Sequence, residues 1–219
     1  PKEVIKSMGY NSYVNGQKAW NGVAILSKKS LEVKNISIPK YNDPNARFIE
    51  TEIKLKKIKE KIKLINIYLP NGNPIDSPKY PYKLDWMDRL YARAKELLKY
   101  EEALVLGGDY NVIPTDADVY DPAKWVNDAL YLPEVRSRFR AITNLGYIDA
   151  FRAMHNEAGC YTFWDYQGRA FEADKGLRID HFLLSPQASD RLLKCDIDLV
   201  PRGQKKASDH TPIFCELMD

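Results

Sequence analysis

Strand-like runs dominate the hydrophobic pattern of this chain. Residues 48–55 set Phe48, Ile49, Ile53 and Leu55 among charges, and residues 62–69 repeat the alternation through Ile62, Leu64, Ile65, Ile67 and Leu69. A period of two sends successive side chains to opposite faces of a pleated strand. Apolar, β-capable runs at 23–27, 103–106, 179–184, 195–200 and 211–217 complete the predicted strands. The period changes over residues 82–100, where Leu84, Met87, Leu90, Tyr91, Ala94, Leu97 and Leu98 recur with helical spacing behind Pro78 and Pro81. A second helix is predicted over 133–145, with Pro133 and Glu134 in its first turn and Gly146 after its end. Asp121-Pro122 opens a short third one, and an aromatic-rich segment, 161–166, lies between Gly159 and Gly168. Several strands follow one another through hairpins, which excludes a simple parallel doubly wound sheet. The order predicts an α/β fold of two packed sheets flanked by helices. No internal repeat, low-complexity tract or long linker divides residues 1–219, so one domain is expected.

Composition adds constraints rather than a function. The 219 residues suffice for a sizeable core, and 44% hydrophobic with 29% charged residues is ordinary for a globular protein. No apolar run reaches the length of a membrane span. A net charge of +3 does not by itself announce a polyanion binder. Basic residues nevertheless cluster at Lys28 and Lys29, at 54–63 and at 202–206, which would suit a polyanionic partner around an acidic centre. The 54–63 cluster reads better as a hairpin between two strands, with lysines guarding a strand edge. Cys160, Cys195 and Cys215 are odd in number and widely spaced, against a disulfide framework or structural zinc and for a reducing compartment. No signal-peptide pattern is visible, so a cytoplasmic, monomeric protein is expected.

The chemistry gathers where strands end. Gly107-Gly108-Asp109-Tyr110-Asn111 follows an apolar run, with Asp109 and Asn111 on one face and Tyr110 on the other. The carboxylate could orient or deprotonate a water while the amide holds a phosphate oxygen or a metal. Gly, Asp and Asn are equally ordinary turn residues, so this segment alone leaves both readings open. Ser208-Asp209-His210 precedes the last strand, and Asp180 leads another. His210 can polarise a phosphoryl oxygen or assist proton transfer if a second carboxylate fixes its tautomer, and Asp180 is the candidate. His181 reads as structural and His155 as a surface residue. Tyr68 and Asn71, at another strand end, could bind phosphate. Phe163, Trp164 and Leu177 would form either an apolar slot for a sugar or base, or plain core.

In this order the motifs resemble the exonuclease III family of apurinic/apyrimidinic (AP) endonucleases, within the endonuclease/exonuclease/phosphatase superfamily. The resemblance runs from Pro1 to Leu217. It is carried by Gly16-Gln17-Lys18 with Asn21-Gly22-Val23-Ala24, by Asn66-Ile67-Tyr68-Leu69-Pro70-Asn71-Gly72 and by residues 107–111. Asn144-Leu145-Gly146-Tyr147-Ile148-Asp149-Ala150-Phe151-Arg152, Tyr161-Thr162-Phe163-Trp164-Asp165-Tyr166, 177–185 and 208–212 follow. The aromatic segment separates this family from sphingomyelinases and inositol phosphatases, which share only the Gly-Asp-x-Asn and Ser-Asp-His elements.

The resemblance implies a four-layer α/β-sandwich and Mg²⁺-dependent hydrolysis, with Mn²⁺ as a substitute, of the phosphodiester 5′ to an abasic site. It further implies 3′-to-5′ exonuclease and 3′-phosphodiesterase activity on duplex DNA with abasic sites or 3′ ends. By it, Asp109 activates water, and Asn111 is its partner in phosphate and metal binding. Tyr68 and Asn71 contact phosphate, Asp180 orients the catalytic His210, and Asp209 is a metal ligand. Phe163, Trp164 and Leu177 form the abasic-sugar pocket, which admits a flipped sugar lacking its base. The family opens with a strand–helix–strand unit that carries an Asn and a metal-binding Glu, for which this sequence has no counterpart. The fold is therefore expected as an amino-terminally truncated sandwich, with metal held by Asp209, Asp109 and Asn111. The alternative reading is a catalytically impaired, DNA-binding remnant.

Overall fold

The structure, a computed structural model, describes residues 2–54 and 61–218. Its centre is a six-stranded sheet in the order β3-β4-β5-β6-β8-β7. These strands are β3 (Glu32–Asn35), β4 (Phe48–Lys54), β5 (Lys61–Tyr68), β6 (Ala103–Asp109), β7 (Ile148–Asp149) and β8 (Asp180–Leu184). Only β5 and β6 pair in parallel, because helix α2 (Lys79–Leu98) carries the chain back between them; the other pairs are antiparallel. Lys54 pairs with Lys61, as the hairpin expected over 54–63 requires, and residues 55–60 of it lie outside the described residues.

The alternation read from the sequence divides the sheet's two faces. Ile65, Ile67, Leu104 and Leu106 point to one side and pack with Trp86, Met87 and Leu90 of α2 and with Val135, Phe139 and Ile142 of helix α3 (Pro133–Thr143). Ile62, Leu64, Val105 and Leu184 point to the other, towards Ala150 and Phe151 of helix α4 (Ala150–Met154), Cys195 and Ile213. Here the second layer differs from one continuous sheet. It consists of two antiparallel ribbons, β1 (Asn11–Gly16) with β2 (Gly22–Ser27), and β9 (Leu192–Ile197) with β10 (Ile213–Leu217). Between them lies an open groove of about 410 Å³, floored by Leu64, Val105 and Phe182 and walled by Ala24 and Ile213. Two short helices, α1 (Lys2–Ser7) and α5 (Pro186–Ser189), complete the described elements. No described helix is long and apolar enough to cross a membrane. The three thiols are unpaired, and Cys195 faces Cys215 across the second ribbon.

A buried polar knot fixes the approach to β8. Arg178, fully buried, donates to Asp118 (2.7 Å) and to both oxygens of Asp149 (3.2 and 2.9 Å). It also donates to Nδ1 of His181 (2.9 Å), whose Nε2 donates to the carbonyl of Val112 (3.0 Å). Asp118 further accepts from Arg152. The 112–119 loop, α4 and β8 are thereby tied at one point, with every charge partnered.

Candidate active site

Three strands end level with one another. Tyr68 pairs with Asp109 across the parallel β5–β6 register, and Asp109 pairs with Asp180 across the antiparallel β6–β8 register. The ladder continues one step further, through Leu69 N–H to Asp109 O (2.8 Å) and Tyr110 N–H to Ile179 O (2.9 Å). Gly108 permits this closeness: at φ +136°, a Cβ there would drive into the carbonyl oxygen of Ile67. Tyr110 points to the opposite face, fully buried, with its hydroxyl on Leu106 O.

Asn111 turns back over the carboxylate, because its backbone lies in the left-handed region at φ +47°. Its backbone N–H donates to Asp109 Oδ1 (2.9 Å) and its side-chain amide to Asp109 Oδ2 (3.2 Å) and Leu69 O (2.9 Å). Its amide oxygen accepts from Asn71 (3.1 Å). Both asparagines and both carboxylate oxygens of Asp109 are thus fixed relative to one another.

His210 arrives from the β9–β10 connection. The aromatic segment holds this connection in place: Trp164 N–H donates to Asp209 O (2.9 Å) and Thr211 N–H to Thr162 O (2.8 Å). Phe163 and Leu177 exchange two backbone bonds (2.9 Å each), and the Phe163 ring meets the His210 ring edge-on at 5.1 Å. His210 Nδ1 lies 2.8 Å from Asp180 Oδ2, which fixes the tautomer with hydrogen on Nδ1.

A slot of about 310 Å³ collects Tyr68, Asn71, Asp109, Asn111, Phe163, Leu177, Asp209 and His210. Asp180 stands behind His210 and borders the groove between the ribbons instead. Trp164 is the one predicted pocket residue that the structure places elsewhere. It is 2% exposed, packs edge-on against Tyr161 and Phe171, and spends its indole N–H on Asp174 (3.3 Å). The slot's remaining walls come from residues that sequence reasoning missed, among them Trp125, Leu130, Asn73, Asp128 and Asp165. Trp125 follows the short 3₁₀ turn at Pro122–Lys124, and its buried indole N–H has no hydrogen-bond partner among the described residues. Asp121-Pro122 signalled that turn, but nothing in the sequence signalled which way Trp125 would face.

The electrostatics follow from three carboxylates around one imidazole. Burial opposes charge on His210, but the Asp180 hydrogen bond and the charges of Asp180, Asp109 and Asp209 prevail and raise it to about 9. Burial, together with the charge of Asp180, pushes Asp109 up to about 7, against the pull of His210 and the Asn111 hydrogen bond. Below the slot, burial lowers the ammonium of Lys83 to about 7. Arg47 stacks on the Tyr68 ring at 4.8 Å and donates to Tyr68 O (3.0 Å).

Apart from the His210 imidazole, the slot's donors are oxygens, among them the carboxylates of Asp109 and Asp209 and the amides of Asn71 and Asn111. Oxygen donors suit a hard divalent cation that keeps several of its waters. Among the described residues no three His, Cys, Asp or Glu side chains stand together as a closed metal cage. The residues present therefore fit a partial shell.

Residues 3–210 match the Endonuclease/Exonuclease/phosphatase family. The chain belongs to this family. Exodeoxyribonuclease III of Haemophilus influenzae is 31% identical over 232 residues, covering 99% of this chain and 84% of that protein. Among solved structures, an AP endonuclease from Archaeoglobus fulgidus superposes with a TM-score of 0.91 at 34% identity, over 99% of this chain and 82% of that one. A 3′ phosphatase from Neisseria, bound to a product DNA hairpin, gives 0.89 at 34% identity, over 100% and 83%. Within its family the chain is of the exonuclease III and AP endonuclease type, a DNA-repair nuclease, and the observed sheet flanked by helices is that fold.

Proposed function

We propose that this nuclease hydrolyses the phosphodiester 5′ to an abasic site in duplex DNA, with 3′-to-5′ exonuclease and 3′-phosphodiesterase activity at the same site, and that Mg²⁺ is its cation. The observation that carries the reading is one slot in which Asp109, held at both oxygens by Asn111, faces the His210–Asp180 pair beside the apolar surfaces of Phe163 and Leu177.

Asp109, raised towards neutrality, is a base matched to physiological pH, so it takes a proton from the attacking water. The water's oxygen bonds to phosphorus, the bond from phosphorus to the 3′ oxygen breaks, and that oxygen leaves with a proton from solvent. His210, charged below about pH 9, offers Nε2 to a phosphoryl oxygen and offsets the charge that builds there. Tyr68 and Asn71 position the phosphate through a hydroxyl and an amide. Phe163 and Leu177 accept a sugar without its base, and Trp125 and Leu130 narrow the space left for one. Asp209, Asp109 and Asn111 would hold the cation, which supplies charge stabilisation when bound. Three unpaired thiols accord with a cytoplasmic setting.

The test is cleavage of a duplex carrying one abasic-site analogue by the 219-residue chain, with Mg²⁺ and then with EDTA. A single cut 5′ to the lesion, lost in EDTA, is expected. Asp109→Asn should slow it by roughly 10²–10⁴-fold. A folded chain that binds the duplex in both conditions and never cuts it would establish the DNA-binding remnant instead.

A further inference from the structure

Helix α2 carries one side chain that its packing does not explain. Lys83 is fully buried on the face that holds Trp86, Met87 and Leu90 against the sheet. Burying an ammonium is expensive unless it is compensated, and a buried lysine usually finds a carboxylate. The hydrogen bonds of Lys83 instead go to two backbone carbonyls, Asn71 O at 2.9 Å and Asn111 O at 2.6 Å. These belong to the two asparagines whose amides meet in the slot, 40 residues apart in sequence. The apolar face of α2 calls for no charge here, and the bonds of the ammonium go to those two carbonyls.

What those carbonyls belong to gives the placement meaning. Asn111 sits in the left-handed region, where an L-residue costs about 1 kcal/mol, and it holds both oxygens of Asp109 from there. The 71–73 turn is held as tightly. Asn73 N–H donates to Asn71 Oδ1 (3.1 Å), the Asn73 amide spans both oxygens of Asp128 (3.1 Å each), and any Cβ on Gly72 would meet Lys83 Cδ at 2.6 Å. The two turns are joined from below by Lys83 and from above by the Asn71–Asn111 amide contact.

We propose that Lys83 is a positioning residue for phosphodiester cleavage: from α2 it clamps the carbonyls of Asn71 and Asn111, and so sets the spacing of their amides and the aim of the Asp109 carboxylate. The proposal rests on the reading of the slot given above. Lys83 never touches substrate and acts through the asparagines. A displacement of about 1 Å at reacting groups can slow a reaction about 100-fold.

The experiment compares the full chain with Lys83→Met, Asn71→Ala and the double variant in single-turnover cleavage of the abasic duplex. Lys83→Met is expected to lower the saturating single-turnover rate constant about 100-fold and to leave the half-saturating enzyme concentration within about threefold, since duplex affinity is spread over many phosphate contacts. In the double variant the loss should be no larger than the greater single loss, because the two residues act as one unit. Rates within about threefold of the parent, or losses that multiply, overturn the proposal. Lys83→Leu, which also removes the donor and suits the apolar face of α2, takes the place of Lys83→Met if the latter does not fold, with the same criteria. Hydrogen exchange gives a readout that needs no cleavage: the amides of Asn111 and Asn73, both bonded to side chains of these turns, should exchange at least about tenfold faster while core amides of β5 and β6 stay protected. Uniform acceleration, or none, overturns the clamp. A parent chain that does not cut defeats the functional reading alone, and the exchange result still decides this one.

Discussion

Consecutive residues of β8 create imidazole environments of opposite sign. Asp180 accepts from His210 and, against burial, raises it to about 9. His181, on the other face, is lowered to about 4 by burial and by the Arg178 charge. A period of two along the strand is enough to separate them. The raised group makes a kinetic prediction. In the proposed reaction Asp109 is the base and His210 the imidazolium, so cleavage should rise as pH climbs through about 7 and fall as pH rises through about 9. In Asp180→Asn the hydrogen-bonded carboxylate is gone and only the charges of Asp109 and Asp209 still oppose burial, so the fall should move to lower pH, towards the ordinary histidine value of about 6.5. A pH–rate profile from about pH 6 to 10 reads this directly. An unmoved alkaline limb would mean that Asp180 does not set the charge of His210. At this scale the sequence was legible wherever a polar residue closed an apolar run: Tyr68, Asp109, Asn111, Asp209 and His210 all reach the slot. Trp164 did not, for the reason that separates Asp180 from His181. Neighbours in an extended segment face opposite ways, so Phe163 and Trp164 could not both enter one pocket.

The elements most visible in the sequence are those buried on both faces or along a full helical stripe. β4, β5, β6 and α2 lie within a few residues of their predicted bounds. β1 and β3 were missed because Asn11-Ser-Tyr-Val-Asn-Gly and Glu-Val-Lys-Asn are half exposed and carry little hydrophobic alternation. α2 begins at Lys79, ahead of the predicted start, since Pro81 falls in its first turn, where a missing N–H is harmless. Its inward lysine could not be read from periodicity, which counts apolar positions only. β6 makes the sharpest prediction among the elements. Gly108 lies against the backbone of β5 with no room for a Cβ and a φ that L-residues avoid. Gly108→Ala should therefore cost about 3 kcal/mol or more, a large share of a typical stability of about 5–15 kcal/mol. Urea unfolding should show the midpoint falling with the slope unchanged. A midpoint within error of the parent would mean that β5 and β6 part easily at the site.

For the molecule as a whole, several titrating groups bend the dependence of stability on pH, and three of those around β8 differ in sign. His181 is buried and neutral with a folded value of about 4. Between about 6.5 and 4 the unfolded chain takes up a proton that the folded one refuses, so this contribution weakens as pH falls through that window. The shift corresponds to about 3 kcal/mol. Asp109, raised by burial and Asp180, acts in the opposite direction: the folded state holds its proton longer, which favours folding as pH falls from about 7 towards its ordinary value. His210, raised to about 9, favours folding fully below about 6.5 and loses that contribution as pH rises to 9. The parent chain should consequently show a shallow acid limb in which His181 and Asp109 offset each other. His181→Gln separates them, because a glutamine can accept from Arg178 and donate to Val112 O as the imidazole does, yet does not titrate. The variant should match the parent's stability near pH 7 and exceed it progressively below 6.5, by about 2–3 kcal/mol at pH 4.5, since the window from 6.5 to 4.5 spans two pH units. Urea unfolding of both chains at the two pH values measures that difference. Equal losses would mean that His181 does not set the acid sensitivity; the Asp118–Arg178–Asp149 ion pairs cannot supply a loss in this window, because the Arg178 charge, overcoming burial, holds Asp118 at about 2 and confines its contribution to lower pH. A difference confined to 6.5–4.5 assigns the sensitivity to one imidazole, locked on the far face of the strand whose first residue holds His210.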